Sequence, residues 1–237
     1  MAVSTRRRAS SPDAPAGAPR LRRGDRLSRA EFHRRYELHP EIRKAELIDG
    51  VVYIMASPLN TTYHGAPDFN VTGWLSVYRA RTPGLAGSSN GTVLLDENTE
   101  VQPDVQLCLG AHLGGQTRIT DEGYVAGAPE LVVEVASSSA DYDLHVKRRA
   151  YERNGVREYV VVLTREAHVV WLTLDGAAFR DLEPDSDGIL RSLVFPGLWL
   201  DPVALLAGDM AAVLRMLEAG LASDEHKVFV EQLSTLH

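Results

Sequence analysis

The segment Leu131-Val132-Val133-Glu134-Val135-Ala136 constrains the fold more than any other stretch of this chain. Its apolar run predicts a buried strand. Side chains alternate across a strand, so Leu131, Val133 and Val135 face one way and Val132, Glu134 and Ala136 the other. One carboxylate therefore lands in the middle of a buried surface. An ionised carboxylate there is costly unless a metal ion, a cationic partner or a raised pKa compensates it. A structural ion pair is the plain alternative.

The other elements fall around this strand. Ser28 followed by Glu31 is a capping box, which predicts a helix from Arg29 to Leu38 that Pro40 ends. Asp49-Gly50 joins two short strands as a hairpin, and Ser57-Pro58 breaks the second. A helix is expected from Pro67 to Arg81, with Val71, Trp74, Leu75 and Tyr78 on one face. Strands follow over 91–95, 100–109 and 130–137, with a Gly-rich loop over 110–128. Ala140 to Asn154 is a helix closed by Gly155. Val-rich strands over 158–163 and 168–174 form a second hairpin, and short strands follow near 178–182 and 190–195. A last helix runs from Asp201 to Glu218. This order predicts an α/β domain, a mixed sheet flanked by helices, over residues 25–205. Residues 1–24 are expected to be a disordered basic leader, and 206–237 a helical extension that covers the domain or pairs with a second copy in a homodimer.

Charge is placed unevenly. Residues 1–44 carry twelve Lys and Arg against five acids, whereas residues 45–237 carry 13 basic and 27 acidic side chains. A basic arm on an acidic body can reach for phosphates, although a solvated tail is the blander reading. The single cysteine, Cys108, excludes an internal disulfide framework and a Cys-based zinc cluster. No apolar run reaches eighteen residues, and no apolar stretch follows Arg6, Arg7 and Arg8, so a cytoplasmic protein without membrane association is expected. There is no P-loop or dinucleotide fingerprint.

A second carboxylate, Asp104, follows Gln102-Pro103. Proline sits badly inside a central strand, so Pro103 marks a start or an edge, and Asp104 opens the strand leading to Leu107 and Leu109. Two carboxylates converging from Asp104 and Glu134 would make a hard oxygen site suited to Mg²⁺ or Mn²⁺. Lys147 is one of only three lysines, with Lys44 and Lys227. Its compact ammonium suits orienting a water; pairing with Asp143 four residues earlier is the ordinary surface alternative.

These residues carry a resemblance. Ala45-Glu46-Leu47-Ile48-Asp49-Gly50, Ser57-Pro58, His64, Gln102-Pro103-Asp104, Gly127 to Val135, Lys147, Tyr151 and Gly155 to Tyr159, in that order, resemble the Uma-two family of restriction endonucleases, within the PD-(D/E)XK nuclease superfamily. The resemblance spans residues 27–205. It implies a restriction-endonuclease-like core and a metal-dependent phosphodiesterase site. Asp104 and Glu134 would bind Mg (or Mn), with the Val135 carbonyl and Glu46 as further ligands. Lys147 would orient the attacking water from the helix, since Ala136 stands where the superfamily pattern places lysine. His64 and Gln102 are auxiliary candidates. Two departures are notable: Gly65 and Pro67 should delay the helix after His64, and Ala136-Ser137-Ser138-Ser139 lacks the family's proline.

The sequence thus points to a metal-dependent endonuclease acting on DNA. The alternative is a non-catalytic module on the same fold that binds nucleic acid or a partner. An RNA-directed hydrolase with the same metal site stays open.

Overall fold

The computed structural model describes residues 19–55 and 59–235. Most of the basic leader, and the Ser57-Pro58 strand break, lie outside the described residues. Residues 19–24 do not behave as a disordered leader. Leu21 is buried, and the Gly24 N–H donates to the Val52 carbonyl at 2.8 Å.

The first helix, α1 (Arg29–Glu37), starts where the capping box places it, with the Ser28 hydroxyl accepting from the Glu31 N–H. β1 (Ala45–Ile48) and β2 (Val51–Ile54) pair antiparallel across Asp49-Gly50. Both turn residues have positive φ, 53° and 73°, the conformation a two-residue hairpin needs to match strand twist. After a π-helical turn over Thr61–Gly65 comes α2 (Ala66–Arg81). The helical chain thus begins before Gly65 and Pro67. The Asn60 side chain caps this turn by accepting from the Tyr63 N–H, so the expected delay is absent.

Among the described residues, twelve of the strands divide between two mixed six-stranded sheets. The central one has β3 (Leu85–Ser89), β6 (Val105–Leu109), β9 (Leu131–Ala136), β10 (Glu158–Leu163), β11 (His168–Asp175) and β12 (Ala178–Asp181), in the order β12-β11-β10-β9-β6-β3. Only β9 and β10 are parallel in this sheet. Their crossover carries a π-helical turn over Tyr142–Lys147 and α3 (Arg148–Asn154). The second sheet adds β4 (Val93–Asp96), β5 (Thr99–Val101), β7 (Arg118–Ile119) and β8 (Val125–Ala126) to the first hairpin, in the order β2-β1-β5-β4-β8-β7. The strand expected over 100–109 is therefore two strands in different sheets. Gln102-Pro103-Asp104 is the passage between them, and Pro103 supplies the break because it cannot donate to a ladder.

The alternation in β9 holds. Leu131, Val133 and Val135 join α2 and the C-terminal helices in one core, whereas Val132 and Ala136 join Ala150, Tyr151 and Tyr159 in another. Each fully buried valine or leucine contributes about 1.5–3 kcal/mol. A short hairpin of β13 (Leu190–Arg191) and β14 (Trp199–Leu200) precedes α4 (Pro202–Ala207), α5 (Met210–Leu221) and α6 (Asp224–Thr235). The expected single final helix is broken at Gly208, whose φ is 73°, and Asp209 then caps α5. Val213, Leu217 and Leu233 are buried in the first core, and a Cβ on Gly220 would collide with the Gly197 carbonyl. Residues 206–235 thus complete the core, with Val203 left exposed.

Candidate active site

Asp104 stands one residue before β6. That strand runs antiparallel to β9, with Val105 opposite Val133. This register brings Asp104 beside Glu134. Asp104 Oδ2 accepts the Val135 N–H at 2.8 Å, Oδ1 accepts from Lys44 Nζ at 2.9 Å, and His64 Nε2 lies 3.5 Å from Oδ2. Burial alone would raise the Asp104 pKa. His64, Lys44, Lys147 and the Val135 N–H outweigh it and hold the carboxyl well below its usual range.

Glu134 is 2% exposed. Its Oε1 accepts from Lys147 Nζ at 2.7 Å and from the Tyr151 hydroxyl at 2.9 Å. Burial pushes its pKa up, and the Asp104 charge adds to that push while Lys147 opposes it. Lys147 also lies 3.0 Å from Glu46 Oε1 and 3.8 Å from Asp143 Oδ1. Burial would lower the Lys147 pKa, yet these acids raise it well above the ordinary value, so the ammonium stays charged.

The elements explain this convergence. Glu46 sits in the wholly buried strand β1. Its Oε1 accepts the Gln102 N–H at 2.8 Å and its Oε2 accepts from the Tyr142 hydroxyl at 2.8 Å. The π-helical turn over Tyr142–Lys147 buries Asp143 and Lys147 together. A π-turn widens the backbone loop by one residue, a device that recurs at functional sites. His64 rides on the other π-turn, and the Asp104 carboxylate raises its pKa.

Every candidate from the sequence reaches this region except the Gln102 side chain. That amide donates to Thr92 Oγ1 at 3.1 Å and accepts from the Tyr36 hydroxyl at 3.3 Å; only its main chain touches Glu46. The Asp143–Lys147 contact lies in the interior, so the surface alternative fails. Sequence reasoning passed over Lys44, Tyr142 and the hydrogen bond of Tyr151. Lys44 had a usable signal, because the rarity of lysine applies to it as much as to Lys147.

A cavity of about 110 Å³ opens among Lys44, His64, Asp104, Glu134, Val135 and Lys147. Among the described residues, no group of three His, Cys, Asp or Glu side chains is arranged to hold a metal ion. The donors nevertheless fit a hard divalent cation of the Mg²⁺ class. Mg²⁺ keeps several waters and takes only one or two carboxylates plus substrate phosphate oxygens. Four carboxylates (Glu46, Asp104, Glu134, Asp143) face two ammonium groups here. The carboxylates thus outnumber the ammonium groups by two.

The chain is thus an α/β protein with a mixed central sheet, with Asp104 just before β6 and Glu134 within the neighbouring β9 beside the buried Lys147. The fold matches the crystal structure of a putative nuclease belonging to DUF820 from Anabaena variabilis ATCC 29413, at a TM-score of 0.51 and 15% identity, over 69% of this chain and 90% of that one. The family model described as "Uma2: Putative restriction endonuclease" matches residues 29–204, and the chain belongs to that family. No curated protein matches the sequence. Among the described residues, no helix is long and apolar enough to cross a membrane.

Proposed function

We propose that this chain is a divalent-metal-dependent endonuclease that hydrolyses phosphodiester bonds in DNA. The observation that supports it most is the meeting of Asp104, just before β6, and Glu134, in the neighbouring β9, at one cavity, with carboxylates in excess of ammonium groups. The family description points the same way.

Asp104 and Glu134 are the residues that would hold Mg²⁺ or Mn²⁺, with the Val135 main chain beside them and Glu46 behind. When bound, such an ion polarises the scissile phosphate and makes a water more acidic. The Asp104 carboxyl is held well below its usual range and is oriented by the Val135 N–H, which suits it to serve as a ligand. Lys147 draws Glu134 and Glu46 together and keeps both oriented. Tyr151 and Tyr142 each donate one hydrogen bond that restricts the same two carboxylates. Hydrolysis consumes one water. Its oxygen bonds to phosphorus, the P–O bond to the leaving sugar oxygen breaks, and that oxygen takes up a proton from solvent while the water loses one.

Plasmid nicking with Mg²⁺ or Mn²⁺, wild type beside Asp104→Ala, tests the reading. Metal-dependent nicking that disappears in the variant is the expected result. Nicking that persists in Asp104→Ala, or a folded wild type that neither binds metal nor cuts, would overturn it; the second outcome leaves a non-catalytic binding module.

A further inference from the structure

Two lysines meet the carboxylates, and they stand in different surroundings. Lys147 is 2% exposed and is bracketed by Glu134, Glu46 and Asp143. Turning it toward a substrate would strand those acids in the interior. Lys44 has 23% of its side chain exposed, lines the cavity and bonds Asp104 Oδ1. Its backbone is anchored just before β1, where its carbonyl accepts the Met55 N–H at 3.0 Å, while a long flexible stem carries the ammonium.

The position of that bond matters. Asp104 Oδ2 is engaged by the Val135 N–H and faces His64. Among the described residues, Oδ1 carries a single contact, the Lys44 ammonium, so a cation that takes this oxygen meets the lysine. A divalent ion bound at Oδ1 and the ammonium at 2.9 Å from the same oxygen would repel each other. The cavity that Lys44 lines gives the ammonium a way out of that repulsion, toward the place where a phosphodiester would bring negative oxygens.

We propose that Lys44 holds Asp104 Oδ1 as an internal counterion until a divalent cation takes that oxygen, and then donates hydrogen bonds to the scissile phosphate. This rests on the metal-nuclease reading above. It makes Lys44 the lysine that touches substrate and Lys147 a positioning residue. Lys44 transfers no proton in this scheme; it offsets charge on the non-bridging oxygens as the water attacks.

The scheme requires two effects of opposite sign from one substitution. Removing the ammonium frees Asp104, so Mn²⁺ binding tightens, yet cleavage slows because the phosphate loses its donor. The experiment is a Mn²⁺ titration without DNA, read by the free-Mn²⁺ EPR signal, beside single-turnover plasmid nicking at saturating Mn²⁺. Wild type, Lys44→Met, Lys44→Arg and Asp104→Asn are compared. Lys44→Met is expected to bind Mn²⁺ severalfold more tightly and to cut about a hundredfold more slowly. Lys44→Arg keeps the charge and recovers part of the rate, and Asp104→Asn loses Mn²⁺ binding. Weaker or unchanged Mn²⁺ binding in Lys44→Met overturns the counterion role. Cutting at the wild-type rate overturns the phosphate contact. If Lys44→Met does not fold, Lys44→Gln carries both readouts. A wild type that neither binds Mn²⁺ nor cuts brings down the nuclease reading itself, and this proposal with it. With a wild type that does both, the Lys44 variants test the lysine's role alone.

Discussion

Buried carboxylates stand at two places along β9 and β10, and their partners differ. At the start of the strands, Glu130 accepts the Leu109 and Gln116 N–H groups at 2.7 and 2.8 Å. Glu158 accepts from the Ser192 hydroxyl at 2.6 Å and from the Leu193 N–H at 2.7 Å. Each acid ties down a loop with neutral donors. Farther along β9, Glu134 faces Asp104, Glu46 and Asp143 through two ammonium groups, beside a cavity. The acids are buried at both places. A buried acid satisfied by backbone donors is a structural device. Acids crowded against one another outnumber the ammonium groups beside them, and that distinguishes the proposed metal site from an anchor.

Four substitutions or titrations break or sharpen this contrast. Lys147→Ala has the largest effect, because it leaves Glu134 and Glu46 buried without their counter-charge; a loss of about 3–5 kcal/mol is expected in urea unfolding. A loss below ~1 kcal/mol would mean the cluster does not depend on that cation. Asp104→Asn keeps the acceptor for the Val135 N–H and removes the charge, so the fold survives. Cleavage should fall by about 10²–10³-fold, or ~2.7–4 kcal/mol in the barrier, measured as the single-turnover rate.

The third test is a pH titration of the anchor end. Burial pushes the Glu158 pKa up to about 7, against the downward pull of Ser192, Leu193 and Val194. A carboxyl raised in the folded state favours folding in its protonated form. Its contribution is fully present below pH 4.5 and is lost as pH climbs through 7. Glu158→Gln mimics the protonated form and lacks that slope. Wild-type stability relative to this variant should therefore fall by roughly 3 kcal/mol between about pH 4.5 and 8. A rise over that interval would show that the loop donors stabilise the anion more than burial opposes it. The smallest effect belongs to Tyr151→Phe, which takes one neutral donor from Glu134. About 1 kcal/mol of stability should go, with Mn²⁺ affinity changed less than in any carboxylate variant. An Mn²⁺ affinity lost as fully as in Asp104→Asn would make the hydroxyl part of the metal site itself.

Local pattern carried much of the architecture. The two faces of β9, the Asp49-Gly50 turn, the Ser28 cap and the Gly155 terminus follow from alternation, turn chemistry and capping, which operate within a few residues. The separation of residues 99–109 into β5 and β6 was legible only as the position of Pro103. That they belong to different sheets was not, because strand partners are chosen by distant segments. The two π-turns left no sequence mark either. Each inserts one residue into a helical turn, and its value lies in where Asp143, Lys147 and His64 then point.

The candidate site divides the same way. Glu134 in an apolar strand and Asp104 after a proline are visible in the sequence, because a charge in an apolar run is anomalous by itself. Glu130 and Glu158 are also buried, yet only their neighbours in space show that backbone donors satisfy them. The pairing of Lys44 with Asp104, across 60 residues of chain, is likewise decided by the packing of one sheet against the other. A sequence can state which groups must be compensated on burial. Which partner compensates each of them is a matter of distance, and distance between remote residues exists only once the chain has folded.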